Sequence, residues 1–359
     1  MKKRQSLALI GILVTLTILI HVFSLNATRV ETYYSTGIYP HISIILRYLL
    51  TWVPISLGDI LYGIAFIYLV WKLVAAIRGL KNGTITNARM LIFLQRVFIK
   101  MLLIYILFNV LWGINYNRKG IASQIGLNIT NYSVADVKVL NSMLVKKVNE
   151  SKAAIIQQAQ KKLSSREIFN GACAAYNELD ERYEFLSYRP ASLKSSLWGW
   201  LGNYVGFMGY YNPFSGEAQV NTTVPKFIQP YTTCHEIAHQ LGYAKENEAN
   251  FVGYLAAASS KNVAFQYSVY VDLFLYAGRN LYRADSLAAR SFADSLLPAV
   301  KADLKEWQQF DERHRNPAEP VVKWVYGKFL ESNEQPLGVL TYDEVTGFLI
   351  AYYKKYGKL

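Results

Sequence analysis

Residues 232–251 read TTCHEIAHQLGYAKENEANF. On a helix, His235 and His239 leave one face a turn apart, so both imidazoles can reach one ion. Glu236 projects beside that face without being a ligand. From there it can take a proton from water held at the ion, which zinc makes acidic enough to ionise near neutral pH. The residue types suit this chemistry: neutral imidazole favours Zn2+, and a carboxylate can carry a proton from water to a leaving amine. The chain has only five histidines, and two of them are here. Gly242 lets the chain turn three residues after His239. Lys245–Phe251 then opens a new helix with Glu246 and Glu248 in its first turn. A catalytic zinc needs a third protein ligand and an open position, and these two carboxylates are the candidates.

N-terminal to this stretch the chain changes character. Residues 1–116 are dominated by Leu, Ile, Val and Phe, and carry 11 Lys/Arg against 2 Asp/Glu. Most of the chain's formal +13 therefore lies beside hydrophobic segments. With 52% hydrophobic residues, this is no ordinary cytosolic enzyme. The basic excess reads as membrane topology, and no nucleic-acid-binding motif accompanies it.

Three stretches are predicted to span a bilayer: about 6–25, 57–77 and 101–117. The first follows Lys2, Lys3 and Arg4 and has a poor cleavage site, so it reads as an uncleaved anchor. Ser56-Leu57-Gly58-Asp59 resembles a helix cap that opens the second. Lys/Arg cluster at the N-terminus and between the second and third spans. By the positive-inside rule those parts are cytoplasmic, and everything after Asn117 is extracytoplasmic. This predicts a multi-pass protein of the inner or plasma membrane. Between the first two spans, "ISIILRYLLTWV" (42–53) is expected along the surface, with Tyr48 and Trp52 at headgroup level.

Residues 118–359 are expected to form the exported domain. A capping box at Ser133–Asp136 opens a helix reaching about Lys162, and a second helix spans Ser165–Leu186. Short strands are predicted at Tyr204–Met208 and Ala218–Asn221. Helices follow over Pro230–Leu241, Glu246–Ser259, Ala264–Tyr282, Ser286–Gln309, Val321–Leu330 and Tyr342–Lys354, the last initiated around Thr341. An oxidising exterior permits a Cys173–Cys234 disulfide, although spacing does not dictate one. Tyr267, Tyr276, Arg279 and Tyr282 follow the motif helices, and nothing in the pattern selects one of them as an oxyanion stabiliser.

H-E-x-x-H followed by a helix bearing E-x-E-A-N is similar to gluzincin metallopeptidases. There a Glu from the next helix completes the metal site, and an Asp or Asn four residues later supports a histidine. The resemblance implies Glu246 as third ligand and Asn250 as support for a ligand histidine, with Glu248 as the alternative ligand. The connection here is short, with six residues between His239 and Glu246. The metzincin pattern fails, because its third ligand would fall on Lys245. The whole layout resembles the domain-of-unknown-function 3810 family of bacterial membrane proteins. The matching features are three N-terminal spans, "NYNRKG" (115–120), "GEAQVN" (216–221) and the motif itself.

The expected fold is a membrane-anchored, mainly α chain. Three transmembrane helices in residues 1–117 precede a predominantly helical zincin-like α+β domain with a small β-sheet. The expected activity is zinc-dependent hydrolysis of peptide bonds in exported or cell-envelope substrates, with the lipid bilayer and a peptide or protein substrate as partners and no nucleic acid. His235, His239 and Glu246 hold Zn2+, and Glu236 is the general base. The rival reading is a non-catalytic, zinc-stabilised scaffold or sensor domain.

Overall fold

The computed structural model describes residues 3–82, 87–338, 340 and 344–359. It begins with α1 (Lys3–Ser24). A helical segment follows, made of α2 (Ala27–Arg29), π-helical turns over Val30–Ile38 and α3 (Tyr39–Leu50). Next come α4 (Leu57–Lys81) and α5 (Asn87–Leu111). Arg4–Ser24, Leu57–Gly79 and Met90–Leu111 are long and apolar enough to cross a membrane.

The third of these lies earlier than the expected 101–117. Arg96 and Lys100 do not interrupt it, because a long cationic side chain can carry its charge away from the apolar surface. The Lys100 Nζ donates to the Tyr68 hydroxyl of α4 (2.8 Å). At the other end, α5 stops at Leu111, and Trp112–Tyr116 turns into the protein and is buried.

Beyond Asn117 the order is α6 (Gly120–Gln124), α7 (Val134–Gln157), α8 (Ser165–Asp180), β1 (Leu193–Ser195), α9 (Gly199–Val205), β2 (Gly209–Asn212) and β3 (Glu217–Val220). Then follow α10 (Gln229–Gln240), α11 (Glu246–Ser259), α12 (Val263–Ala284), α13 (Ser286–Asp294), α14 (Pro298–His314), α15 (Glu319–Ser332) and α16 (Val345–Tyr356). The molecule is mainly helical with one small sheet.

Local chemistry sets many of these boundaries. Ser133 with Asp136 and Ser164 with Glu167 form capping boxes on α7 and α8. The helix expected over 286–309 is broken in two. Pro298 lacks an N–H to continue α13 and instead starts α14. The strand expected at 204–208 is not formed. Tyr204 and Val205 close α9, Gly206 caps it at φ +80°, and the strand begins at Gly209. Thr341 lies outside the described residues. Cys173 and Cys234 are free thiols, so the permitted disulfide is not made.

The sheet order is β1-β3-β2, with β1 parallel and β2 antiparallel to β3. All four β3 residues are buried, as a central strand requires. The main core gathers Leu140 and Leu144 of α7, Ile168 of α8, Ile237 of α10, Val252 of α11 and Leu273 of α12. A second, smaller core joins Val30, Tyr34 and Tyr39 to Trp112, Tyr116 and Tyr211. It knits the segment between the first two spans to the site, across the expected boundary at 117.

That segment is therefore only half a surface element. Tyr48 and Trp52 are 69% and 78% exposed, while Tyr39, Ser43 and Arg47 are buried against the protein. Tyr39 Oη and Ser43 Oγ both donate to the Gln240 carbonyl (2.8 and 2.7 Å), and Arg47 donates to Pro190 O (2.8 Å).

Candidate metal centre

Every residue of α10 is buried, so the whole motif helix runs through the core rather than along a surface. Its end is fixed by Gln240, whose amide donates to the Ser192 and Gly216 carbonyls and accepts from Tyr188 Oη. Gly242 then reverses the chain at φ +89°. A Cβ there would press on the Tyr39 ring (2.8 Å), so only glycine fits both the turn and the packing.

The reversal brings α11 back against α10 and delivers Glu246 to the histidines. Its Oε2 lies 3.3 Å from His235 Nε2 and 3.5 Å from His239 Nε2, and the two Nε2 atoms are 3.1 Å apart. Each residue offers one ligand atom, all within 4.8 Å of one another. Gln335 accepts from the Glu246 backbone N–H (2.9 Å), and Tyr326 Oη donates to Glu246 Oε1 (2.8 Å). Oε2 is buried and has no hydrogen-bond partner. An orphaned carboxylate oxygen facing two imidazole nitrogens is a donor set that fits Zn2+.

The rings are oriented from behind. His239 Nδ1 is 2.8 Å from the Tyr243 carbonyl, which assigns the proton to Nδ1 and leaves Nε2 bare toward the cluster. The Asn250 side chain hydrogen-bonds His235, and Tyr231 Oη donates to Asn250 Oδ1 (3.2 Å). Thus His235, His239, Glu246 and Asn250 come together. Glu248 does not join them. It faces α6, where a Cβ on Gly120 would overlap its carboxylate, and its charged neighbours are Arg118, Lys245 and Glu31.

Glu236 lies alongside, against the first residue of β2. A Cβ on Gly209 would sit 2.6 Å from Glu236 Oε1. Burial pushes the Glu236 carboxyl up to about 8, with His239 opposing and Glu246 adding to the rise. Burial would also raise Glu246, but the charges of the two histidines, His239 foremost, outweigh it and hold this carboxyl well below the usual range. Burial lowers His235, while for His239 it is overcome by Glu246 and that imidazole is raised. A dication here would favour the ionised carboxylates and neutral imidazoles.

His235, Glu236, His239 and Glu246 line a cleft of about 680 Å³. Tyr276 and Asp272 of α12 line it. Tyr267 does not; it bonds Asp303. Arg279 stacks on Tyr276 (4.7 Å), and Tyr282 is exposed.

Three contributors left no readable signal in the sequence: Tyr326, Trp112 and the Glu31–Arg118 pair. Trp112 Nε1 donates to the His239 carbonyl (3.0 Å). Glu31 accepts from the Arg118 guanidinium (2.7 Å), the Lys119 and Gly120 backbone N–H groups and Gln124. Arg118 in turn donates to the Gly242 carbonyl (3.1 Å).

A family model described as "Protein of unknown function (DUF3810)" matches residues 34–350, nearly the whole chain. The chain belongs to the DUF3810 family. The matched region runs from Tyr34 in the small core, through two of the candidate spans and the His235–His239–Glu246 cluster, into α16. No curated protein and no solved structure matches it.

Proposed function

We propose that this DUF3810 protein is a membrane-anchored zinc metallopeptidase with a zincin-like catalytic region. Its substrates are exported or cell-envelope polypeptides, cut on the extracytoplasmic side. The observation that carries this reading is the convergence of His235, His239 and Glu246, with Glu236 beside them at the edge of the sheet. Zn2+ bound by the three would supply Lewis acidity toward the scissile carbonyl and lower the pKa of water. Glu236 accepts the proton of the attacking water and delivers it to the leaving amine. Asn250 and the Tyr243 carbonyl hold the two imidazoles in their ligand tautomers. Among the described residues β2 pairs only with β3, which leaves an edge beside Glu236 for a substrate backbone to lie along.

The test is zinc content and peptide cleavage by the purified full-length protein beside Glu236→Gln. The proposal expects near-stoichiometric zinc in both and cleavage only by the wild type. Cleavage by the variant at the wild-type rate would sink the mechanism. A folded protein that stays metal-free when zinc is supplied would sink the reading altogether.

A further inference from the structure

The cleft at the cluster has walls that an enzyme taking its substrate from water would not need. Its lining includes Tyr62 of α4 and Phe108 of α5, side chains that belong to membrane-spanning helices. Trp112, the first residue past the α5 span, packs edge-on against His239 with ring centres 6.0 Å apart. The cluster is therefore at the level where the spans leave the bilayer.

Two elements beyond the spans close the cleft around those helix ends. Trp198, just before α9, packs on α4, where a Cβ on Gly63 would lie 3.1 Å from its indole. Tyr62 stacks on Tyr210 of β2 (6.0 Å). On the other side, Phe329 of α15 meets Tyr116 just past α5 (6.5 Å), and Tyr326 meets Phe207 (5.5 Å). Asn316, before α15, donates to the Tyr204 carbonyl of α9 and joins the two elements (2.6 Å).

The outward faces of α9 and α15 are apolar. Trp200, Leu201 and Tyr204 are exposed on α9; Val321, Trp324, Val325 and Phe329 are exposed on α15 at helical spacing. Trp200 and Trp324 are 55% and 65% exposed. Such a patch is costly in water and suits the interfacial belt of a bilayer, where tryptophan concentrates. α4 and α5 expose apolar side chains as well, among them Leu61, Ile64, Leu103 and Ile104.

From this placement we infer that the cleft opens sideways toward the membrane and that the substrate is a bilayer-inserted polypeptide. Its apolar segment lies against α4, α5, α9 and α15, and the cut falls just outside that segment. A polypeptide fits better than a lipid chain, because the cleft offers a strand edge as well as the cluster. This rests on the peptidase reading for the cut, but not for the binding.

The test uses full-length Glu236→Gln in vesicles of phosphatidylethanolamine and phosphatidylglycerol. The probe is a pool of synthetic peptides: a twenty-residue apolar segment, a photoreactive residue next to it, and a randomised polar extension. The control pool lacks the apolar segment. Anchoring raises local concentration, so the anchored pool should crosslink at least about tenfold more than the control, with adducts on α9, α15 or β2. Trp200→Ser with Trp324→Ser should reduce capture while zinc content stays unchanged. Equal capture of the control pool, adducts to lipid only, or no adducts would each overturn the inference. Crosslinking needs no turnover, so failure of the peptidase reading would show separately, in zinc content and cleavage.

Discussion

The indole N–H of Trp112 donates to the backbone carbonyl of His239 at 3.0 Å, joining the residue that follows a membrane span to a candidate metal ligand. The carbonyl also accepts from Gly242 N–H, so it keeps one partner if the indole is lost. Losing that hydrogen bond in Trp112→Phe should cost about 0.5–1.5 kcal/mol, and the smaller ring adds a further loss from the space it leaves in the small core. Denaturant unfolding in detergent would measure it, and zinc content should not change.

The two carboxylates of α11 have separate surroundings and should separate in metal binding. His235→Ala and Glu246→Ala each remove a converging ligand atom, and elemental mass spectrometry should find zinc lost from both. Glu248→Ala should retain it, since Glu248 faces Gly120 and Arg118.

Gly209→Ala places a methyl 2.6 Å from Glu236 Oε1 and 3.0 Å from the Gln219 carbonyl. The strand cannot move freely, so the carboxylate must. Displacing a proton-transfer group by about 1 Å costs roughly 10²-fold in turnover. Cleavage kinetics should show that loss in kcat, with zinc retained.

Glu31→Gln leaves the Arg118 guanidinium, only 2% exposed, without its carboxylate. Removing one partner of a buried ion pair costs about 3–5 kcal/mol. The double variant Glu31→Gln with Arg118→Met should regain part of that loss, because the buried guanidinium is gone, although Glu248 then keeps only Lys245 as a cationic neighbour. Thermal unfolding of the four proteins completes the cycle.

Asp272 gives a pH dependence whose sign is fixed. Burial raises its carboxyl to about 7, against the pull of Arg279 and a Tyr276 hydrogen bond. The unfolded value is about 3.9. The folded protein thus binds the proton more tightly. Stability from that proton is complete below about pH 4 and is lost as pH rises through about 7. Asp272→Asn mimics the protonated form, so its melting temperature relative to the wild type should climb between pH 4 and pH 8.

What the sequence revealed was local. The four-residue spacing of the histidines, the glycine turn and the acidic start of α11 marked the two histidines and narrowed the third ligand to Glu246 or Glu248; spacing alone did not separate those two carboxylates. The spans showed through their unbroken apolar runs. Hidden were the contributions that depend on chain segments meeting. Nothing near Glu31 reveals that Arg118 will lie against it, and nothing in "VVKWVYGKFL" sets Tyr326 apart from the chain's other tyrosines. The uncharged run 101–117 stops short of the helix that forms, which continues back through Arg96 and Lys100, and Lys100 finds a hydroxyl on α4. The strand was displaced because Gly206 and Gly209 permit a turn and an extended backbone equally well in isolation.

The carbonyl of Gln240 takes hydrogen bonds from Tyr39 and Ser43, 201 and 197 residues earlier in the chain. During synthesis those donors are made first and then wait for their acceptor. At ordinary elongation rates of about 5–20 residues per second, that interval is roughly 10–40 seconds. The buried faces of the segment between the first two spans stay uncovered throughout. Loop closure over such a separation is slow, so the end of the motif helix is anchored late. The helix that carries the two histidines thus gains this anchor from residues made some two hundred positions before it.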